Sequence, residues 1–170
     1  MTYAQKLKEL TEFGDHFDYD ITYIRELLET SPNGYSKFEG FRPLASHREL
    51  LGREAYWVVK IAAMKSEDCG ECLQLNIRMA LEDGCDRMVI EEAVRTPELL
   101  SSPYKEIFEY ATKVSLNETI GQPLEDYMMQ VFDKGQLLEL GIAVSTAKLF
   151  PTLKRSVGVA KSCQVMEFSF

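Results

Sequence analysis

The chain has no apolar run approaching the ~20 residues that a membrane-spanning helix needs, and its first residues, Met1-Thr2-Tyr3-Ala4-Gln5-Lys6, carry no apolar segment of the secretion-signal kind. A cytoplasmic protein with no membrane partner is expected. Basic clusters are missing as well: 19 Lys and Arg stand against 27 Asp and Glu, a net charge of −8. That balance makes nucleic acid and anionic lipid surfaces poor partners. There is no glycine-rich phosphate loop, so a nucleotide cofactor has no support and no cofactor is expected. Two-residue alternation bounded by turn signals is not sustained anywhere in the interior, so strands have little support. Repeats, low-complexity tracts and Gly/Ser/Pro linkers are lacking too, and a single domain spanning 1–170 is expected. Histidine is reduced to His16 and His47, and cysteine to four residues of which only Cys69 and Cys72 are closely spaced. A zinc site would need a second paired spacing, so no metal is expected.

What is present is helical. At 170 residues and 45% hydrophobic, the chain is long enough for a core that buries roughly 70% of the unfolded surface. Apolar residues recur at helical spacing over 3–13 (Tyr3, Leu7, Leu10, Phe13) and 20–30 (Ile21, Ile24, Leu27, Leu28), and a short aromatic-faced helix follows through Tyr35, Phe38 and Phe41 before Pro43. The longest pattern runs from about Ser46 to Met64 and predicts a central buried helix, with Arg48, Glu49, Arg53 and Lys60 off its apolar side. The next spans about Asp68 to Asp83, apolar around most of its circumference, with Gly84 placed to terminate it. Further helices are expected from Asp86, from Ser102-Pro103 (a cap with Pro at the first position), from Pro123, and after Gly135, the last interrupted by Pro151. The tail, Val165 to Phe170, is the one stretch that reads as able to extend against a neighbour. The fold class expected is an all-α, single-domain helical bundle.

The chemistry concentrates at Ser66-Glu67-Asp68-Cys69-Gly70-Glu71-Cys72, between the two strongest helical patterns. Cysteines three apart on a helix share a face and can cycle between dithiol and disulfide. Asp68 reads as an N-cap and Glu71 as the partner in a capping box, which puts Cys69 in the first turn and Cys72 just behind it. The positive end of the helix dipole favours a thiolate there, whereas Glu67, Asp68 and Glu71 oppose it. The sequence leaves these two influences in competition. Cys85 and Cys163 each stand alone and read as small apolar residues.

A Cys-x-x-Cys at the mouth of a mid-chain helix, preceded by a long helix that carries a glutamate, resembles the alkylhydroperoxidase D / carboxymuconolactone decarboxylase superfamily. The resemblance is carried by Pro32, Phe38, Leu44 and Arg53-Glu54, by Ser66 to Leu75, and less firmly by Phe150-Pro151-Thr152-Leu153-Lys154-Arg155. It implies a helical bundle of the alkylhydroperoxidase D-like type, assembled as a homo-oligomer. It also implies Cys72 as the thiol that attacks a hydroperoxide or other small-molecule oxidant, Cys69 as the resolving thiol, and an external dithiol protein as reductant. The family's relay histidine, four residues after the second cysteine, is Asn76 here, and its glutamate, twelve before the first cysteine, is Trp57. Glu54, one turn earlier, is the nearest carboxylate, so the candidate catalytic set is Cys69, Cys72, Glu54 and Asn76. An amide cannot take up a proton near neutral pH. That departure keeps two other readings open: a redox-silent oligomer that binds a small molecule or a protein, and an enzyme of the decarboxylase branch, which does not need the thiols.

Overall fold

Ten consecutive residues, Ala55 to Met64, are buried on every side of one helix, α4 (Arg53–Ser66). The rest of the bundle is built around it. The computed structural model describes residues 1–170, the side chain of Val165 excepted. Among the described residues there are α-helices and short 3-10 turns but no strand. In chain order the other helices are α1 (Tyr3–Phe17), α2 (Thr22–Thr30), α3 (Pro32–Ala45), α5 (Gly70–Glu82), α6 (Arg87–Arg95), α7 (Tyr104–Leu116), α8 (Gln122–Val131) and α9 (Lys134–Ser156). The all-α class expected from the spacing is the class observed.

Helices α5, α6, α7 and α9 pack directly against α4. Val58, Val59, Ile61, Leu73, Ile77, Ile90, Ile107 and Leu140 fill this larger core. A second cluster forms where α1, α2 and α3 fold together through Leu10, Tyr19, Tyr23, Ile24, Leu28, Tyr35 and Phe38. Helix α9 serves both. Leu140, Ala143, Val144 and Ala147 belong to the larger core, and Leu149, Phe150 and Leu153, nearer its C-terminus, pack against the smaller one. Leu75 of α5 also packs against the smaller cluster, so α5 lies where the two cores meet.

Several boundaries depart from the spacing, each for a tertiary reason. Helix α4 begins at Arg53 and not at Ser46. The Glu139 carboxylate accepts the backbone N–H groups of Glu49 (3.1 Å), Leu50 (2.9 Å) and Leu51 (3.0 Å), holding them in a loop. Pro151 does not end α9, which continues to Ser156 with Pro151 itself buried; the packing of Leu149, Phe150 and Leu153 outweighs the missing N–H. Pro43 likewise lies within α3. Helix α9 opens with a capping box between Asp133 and Gln136, ahead of Gly135. Gly84 does terminate α5, at φ 84°, where Arg53 Nη1 closes on the Asp83 and Gly84 carbonyls at 2.8 and 2.9 Å. The tail does not extend as a strand: Ser169 and Gln74 exchange two hydrogen bonds of 2.9 Å, which lay it on α5.

Glu139 ties α9 to the loop before the central helix. Burial pushes its carboxyl up, but the N–H groups of Leu51, Leu50 and Glu49 outweigh that and hold it below its ordinary value. A group so lowered contributes stability above its unfolded value of ~4.3, and that contribution is lost as pH falls through the folded value. Glu139→Leu leaves three backbone donors without their acceptor, that of Leu51 buried, and should cost about 3 kcal/mol, roughly 6–12 °C in Tm for a chain of this size, at pH 7. In thermal melts the gap to wild type should narrow below about pH 4; a gap independent of pH would contradict this role.

Candidate functional site

Cys69 and Cys72 form a disulfide with Cα atoms 5.3 Å apart, and the two residues are 0% and 1% exposed. The local geometry differs from a capping box. Cys69 itself is the N-cap of α5, in extended conformation (φ −113°, ψ 93°), with no side-chain cap. Asp68 sits at φ 48° and turns its carboxylate to the tail, accepting from Ser162 Oγ at 2.9 Å and Cys163 N at 2.8 Å. The Gly70 N–H donates to the Lys161 carbonyl at 2.8 Å. A Cβ on Gly70 would lie 3.0 Å from the Ser162 carbonyl and 2.5 Å from Met166 Sδ. Glycine at this position lets the tail close over the pair.

Glu71 is free of capping duty because it is taken by cations. It pairs with Lys154 of α9 and with Lys161 of the tail at 2.6 Å. Burial alone would raise its carboxyl, but the hydrogen bonds from Lys154 and Lys161 prevail and hold it below the ordinary value. Glu67 pairs with Lys148 and Arg155, each at 3.3 Å. The three carboxylates that the sequence sets against a thiolate are therefore partnered: Glu67 and Glu71 by four cations of α9 and the tail, Asp68 by two hydrogen-bond donors. Their charges are thus offset, and Cys72 stands at the third residue of the helix, near its positive end.

Lys154 is 0% exposed, and its ammonium lies 4.7 Å from the ring centroid of Tyr19 and 5.5 Å from that of Tyr23. The Tyr19 hydroxyl is 3.2 Å from the Tyr23 hydroxyl and 3.9 Å from Cys72 Sγ. Burial, with Tyr23 and Glu71 adding, pushes Tyr19 well above its ordinary value, so it remains a neutral O–H donor at any physiological pH. Cys72, but not Cys69, contributes to the wall of a cavity of about 1170 Å³ between the α1–α3 cluster and helices α4 and α5.

The candidate residues divide. Asn76 lies on this cavity wall beside Cys72 and donates from Nδ2 to the Cys72 carbonyl at 2.7 Å, so its amide serves the backbone of the thiol turn. Glu54 is not brought to the pair. It lies in the first turn of α4, the end that Arg53 ties to the far end of α5, where its charge adds to burial in raising Cys85, to about 12, and Tyr104. Trp57 donates from Nε1 to Asp83 at 2.8 Å, also away from the thiols. Cys163 is half-buried beside Asp68 and pushed up to about 11 by burial and that carboxylate. Lys60, read as lying off the apolar side of α4, is 4% exposed. Tyr19 and Lys154 were missed as site residues. Lys154 carried one signal: it falls in register with Leu140, Ala143, Ala147 and Pro151 on the buried face of α9. Among the described residues no three His, Cys, Asp or Glu side chains converge to hold a metal ion, and no helix is long and apolar enough to cross a membrane.

The chain matches no known family model and no curated protein. The reading of its site rests on its own geometry.

Glu71→Gln should leave the Lys154 ammonium buried without its counter-charge and cost about 3–5 kcal/mol in urea denaturation. The double variant Glu71→Leu/Lys154→Met, which removes both charges, should recover most of that loss. Losses that simply add would show that the two side chains act independently.

Proposed function

We propose that this chain is a thiol-dependent oxidoreductase of the alkylhydroperoxidase D-like type, whose Cys69–Cys72 pair alternates between dithiol and disulfide. The observation that carries the reading is the placement of Cys72. It stands at a helix N-terminus, in the wall of a large cavity, within reach of a neutral tyrosine hydroxyl. The Cys72 thiolate attacks the outer oxygen of a hydroperoxide, the O–O bond breaks, and Cys72 becomes a sulfenic acid. The departing alkoxide takes a proton from Tyr19, which occupies the place of the missing relay. The Cys69 thiol then displaces hydroxide from the sulfenic sulfur to form the disulfide and water. An external dithiol restores both thiols, accepting the disulfide as it does so. Exchange with another disulfide uses the same pair without an oxygen-transfer step. Asn76 holds the Cys72 carbonyl, and Glu54 has no part in the scheme. The tail lies over the pair, so a protein reductant meets it only when residues near Ser162 and Ser169 lift. Met88, Leu99, Met129 and Leu138, apolar and exposed, fit the subunit association that the resemblance implies.

The near-complete burial of both sulfurs favours a second reading, a redox-silent binding protein in which the disulfide is structural. Consumption of cumene hydroperoxide with dithiothreitol as reductant separates the two. Wild type should turn over and Cys72→Ser should not, while Cys69→Ser, treated with the hydroperoxide alone and no dithiothreitol, should stop at a sulfenic acid that a dimedone probe traps. Tyr19→Phe should slow turnover on the order of 10²-fold. Consumption unchanged by Cys72→Ser would overturn the redox reading.

A further inference from the structure

The cavity that Cys72 borders contains a second feature that the thiol chemistry does not use. Lys60 also lines it. Its ammonium donates to the Ala45 carbonyl at 2.8 Å and to Thr146 Oγ1 at 3.1 Å, and lies 5.5 Å from the centroid of the Tyr56 ring. Thr146 is held in turn by its own bond to the Ile142 carbonyl at 2.8 Å, and Tyr56 by one to Ala45 O at 3.0 Å. The ammonium is thus fixed by neutral groups on α3, α4 and α9. Its third N–H is uncommitted, because two acceptors serve three donors.

No carboxylate of the described residues lies within salt-bridge distance of Lys60, although it is almost fully buried. The acidic groups that line the same cavity have partners of their own. Glu39 is paired with Lys6, Glu82 with His16, and Asp83 with Arg48 and Trp57, while Glu9 is exposed. Buried ammonium groups are ordinarily matched by an anion, since an unpaired charge in an apolar setting is costly. Burial accordingly lowers Lys60 to about 8. Around it the cavity presents apolar rings: Phe13, Phe17, Phe38, Trp57 and Phe150. Arg48 and Asn76 also line it but are committed to Asp83 and to the Cys72 carbonyl, and Arg42 is exposed; an apolar lining with a few placed polar groups is the common design of a small-molecule site.

We infer that this cavity binds a monocarboxylic acid with an apolar body, its carboxylate taken by the third N–H of Lys60 and its body lying among the rings. The anchor and the thiol are separate parts of one cavity, and the inference holds whether or not Cys72 turns over. The competing role for Lys60 is confined to the protein: a cation that caps the end of α3 through Ala45 O.

Trp57 is the only tryptophan in the chain and stands in the cavity wall, so its emission reports occupancy. The experiment titrates the oxidised protein, without peroxide or reductant, with decanoate, decan-1-ol and decylammonium. These probes share a body and differ in the head group. Decanoate should change the Trp57 emission saturably and bind roughly tenfold or more tightly than either of the others. Lys60→Met, checked for folding by circular dichroism, should bring decanoate to the level of decan-1-ol and leave decan-1-ol where it was. Equal binding of decanoate and decan-1-ol by wild type would overturn the inference, as would undiminished decanoate binding by a folded Lys60→Met; either result assigns Lys60 to capping alone. If the variant does not fold, the wild-type head-group comparison still decides. Because binding is read without turnover, an inactive thiol pair and an unoccupied cavity give different results.

Discussion

The salt bridge between Glu71 and Lys154 joins the two helices on which the candidate site depends. Lys154 reaches it from the C-terminal third of α9 with no exposure to water, so its charge is tolerable only while Glu71 accepts it. In that position the ammonium also lies over Tyr19 and Tyr23, which sets the Tyr19 hydroxyl against Cys72. The pair therefore does two things: it locks α5 to α9, and it neutralises the carboxylate next in sequence to Cys72. With Lys161, Lys148 and Arg155 offsetting the rest, the acidic residues of this stretch are paired at the start of α5.

The site lies between two apolar clusters and not at the centre of either. The larger core is built around α4. The smaller cluster of α1, α2 and α3 meets it across the cavity, and α9 and α5 bridge the two. That arrangement places Cys72, Asn76, Tyr19 and Lys60 along one cavity, whose lining also includes the rings of Phe13, Phe38 and Phe150. It further explains why the tail matters, since Asp68 and Gln74 hold it over the opposite side of the pair.

The helices and the thiol pair were legible in the sequence because both are local. Apolar spacing over ten or more residues marked α1, α4 and α5, and Gly84 marked the end of α5, as observed. Features that depend on contacts across the chain were not legible. Glu71 looked like half of a capping box, since Asp68 stands three residues before it; its true partners, Lys154 and Lys161, are far away in sequence. Tyr19 reaches Cys72 across 53 residues of chain. The loop before α4 reads as helix by spacing, but the distant Glu139 carboxylate takes its N–H groups. Lys60 and Lys154 share a lesson: a lysine within a buried face is easily assigned to solvent by type, whereas its register places it inside.

The central claim is that the partnered carboxylates, the Tyr19 hydroxyl and the helix N-terminus together stabilise a Cys72 thiolate. It is tested most directly by the pH dependence of iodoacetamide alkylation of reduced Cys69→Ser, followed at Cys72 by mass spectrometry. Cys85 and Cys163 are held up at about 12 and about 11, so neither ionises in the range of interest. The account expects half-maximal alkylation of Cys72 at a pH clearly below the free-thiol value of ~8.5. A midpoint at or above that value would contradict it.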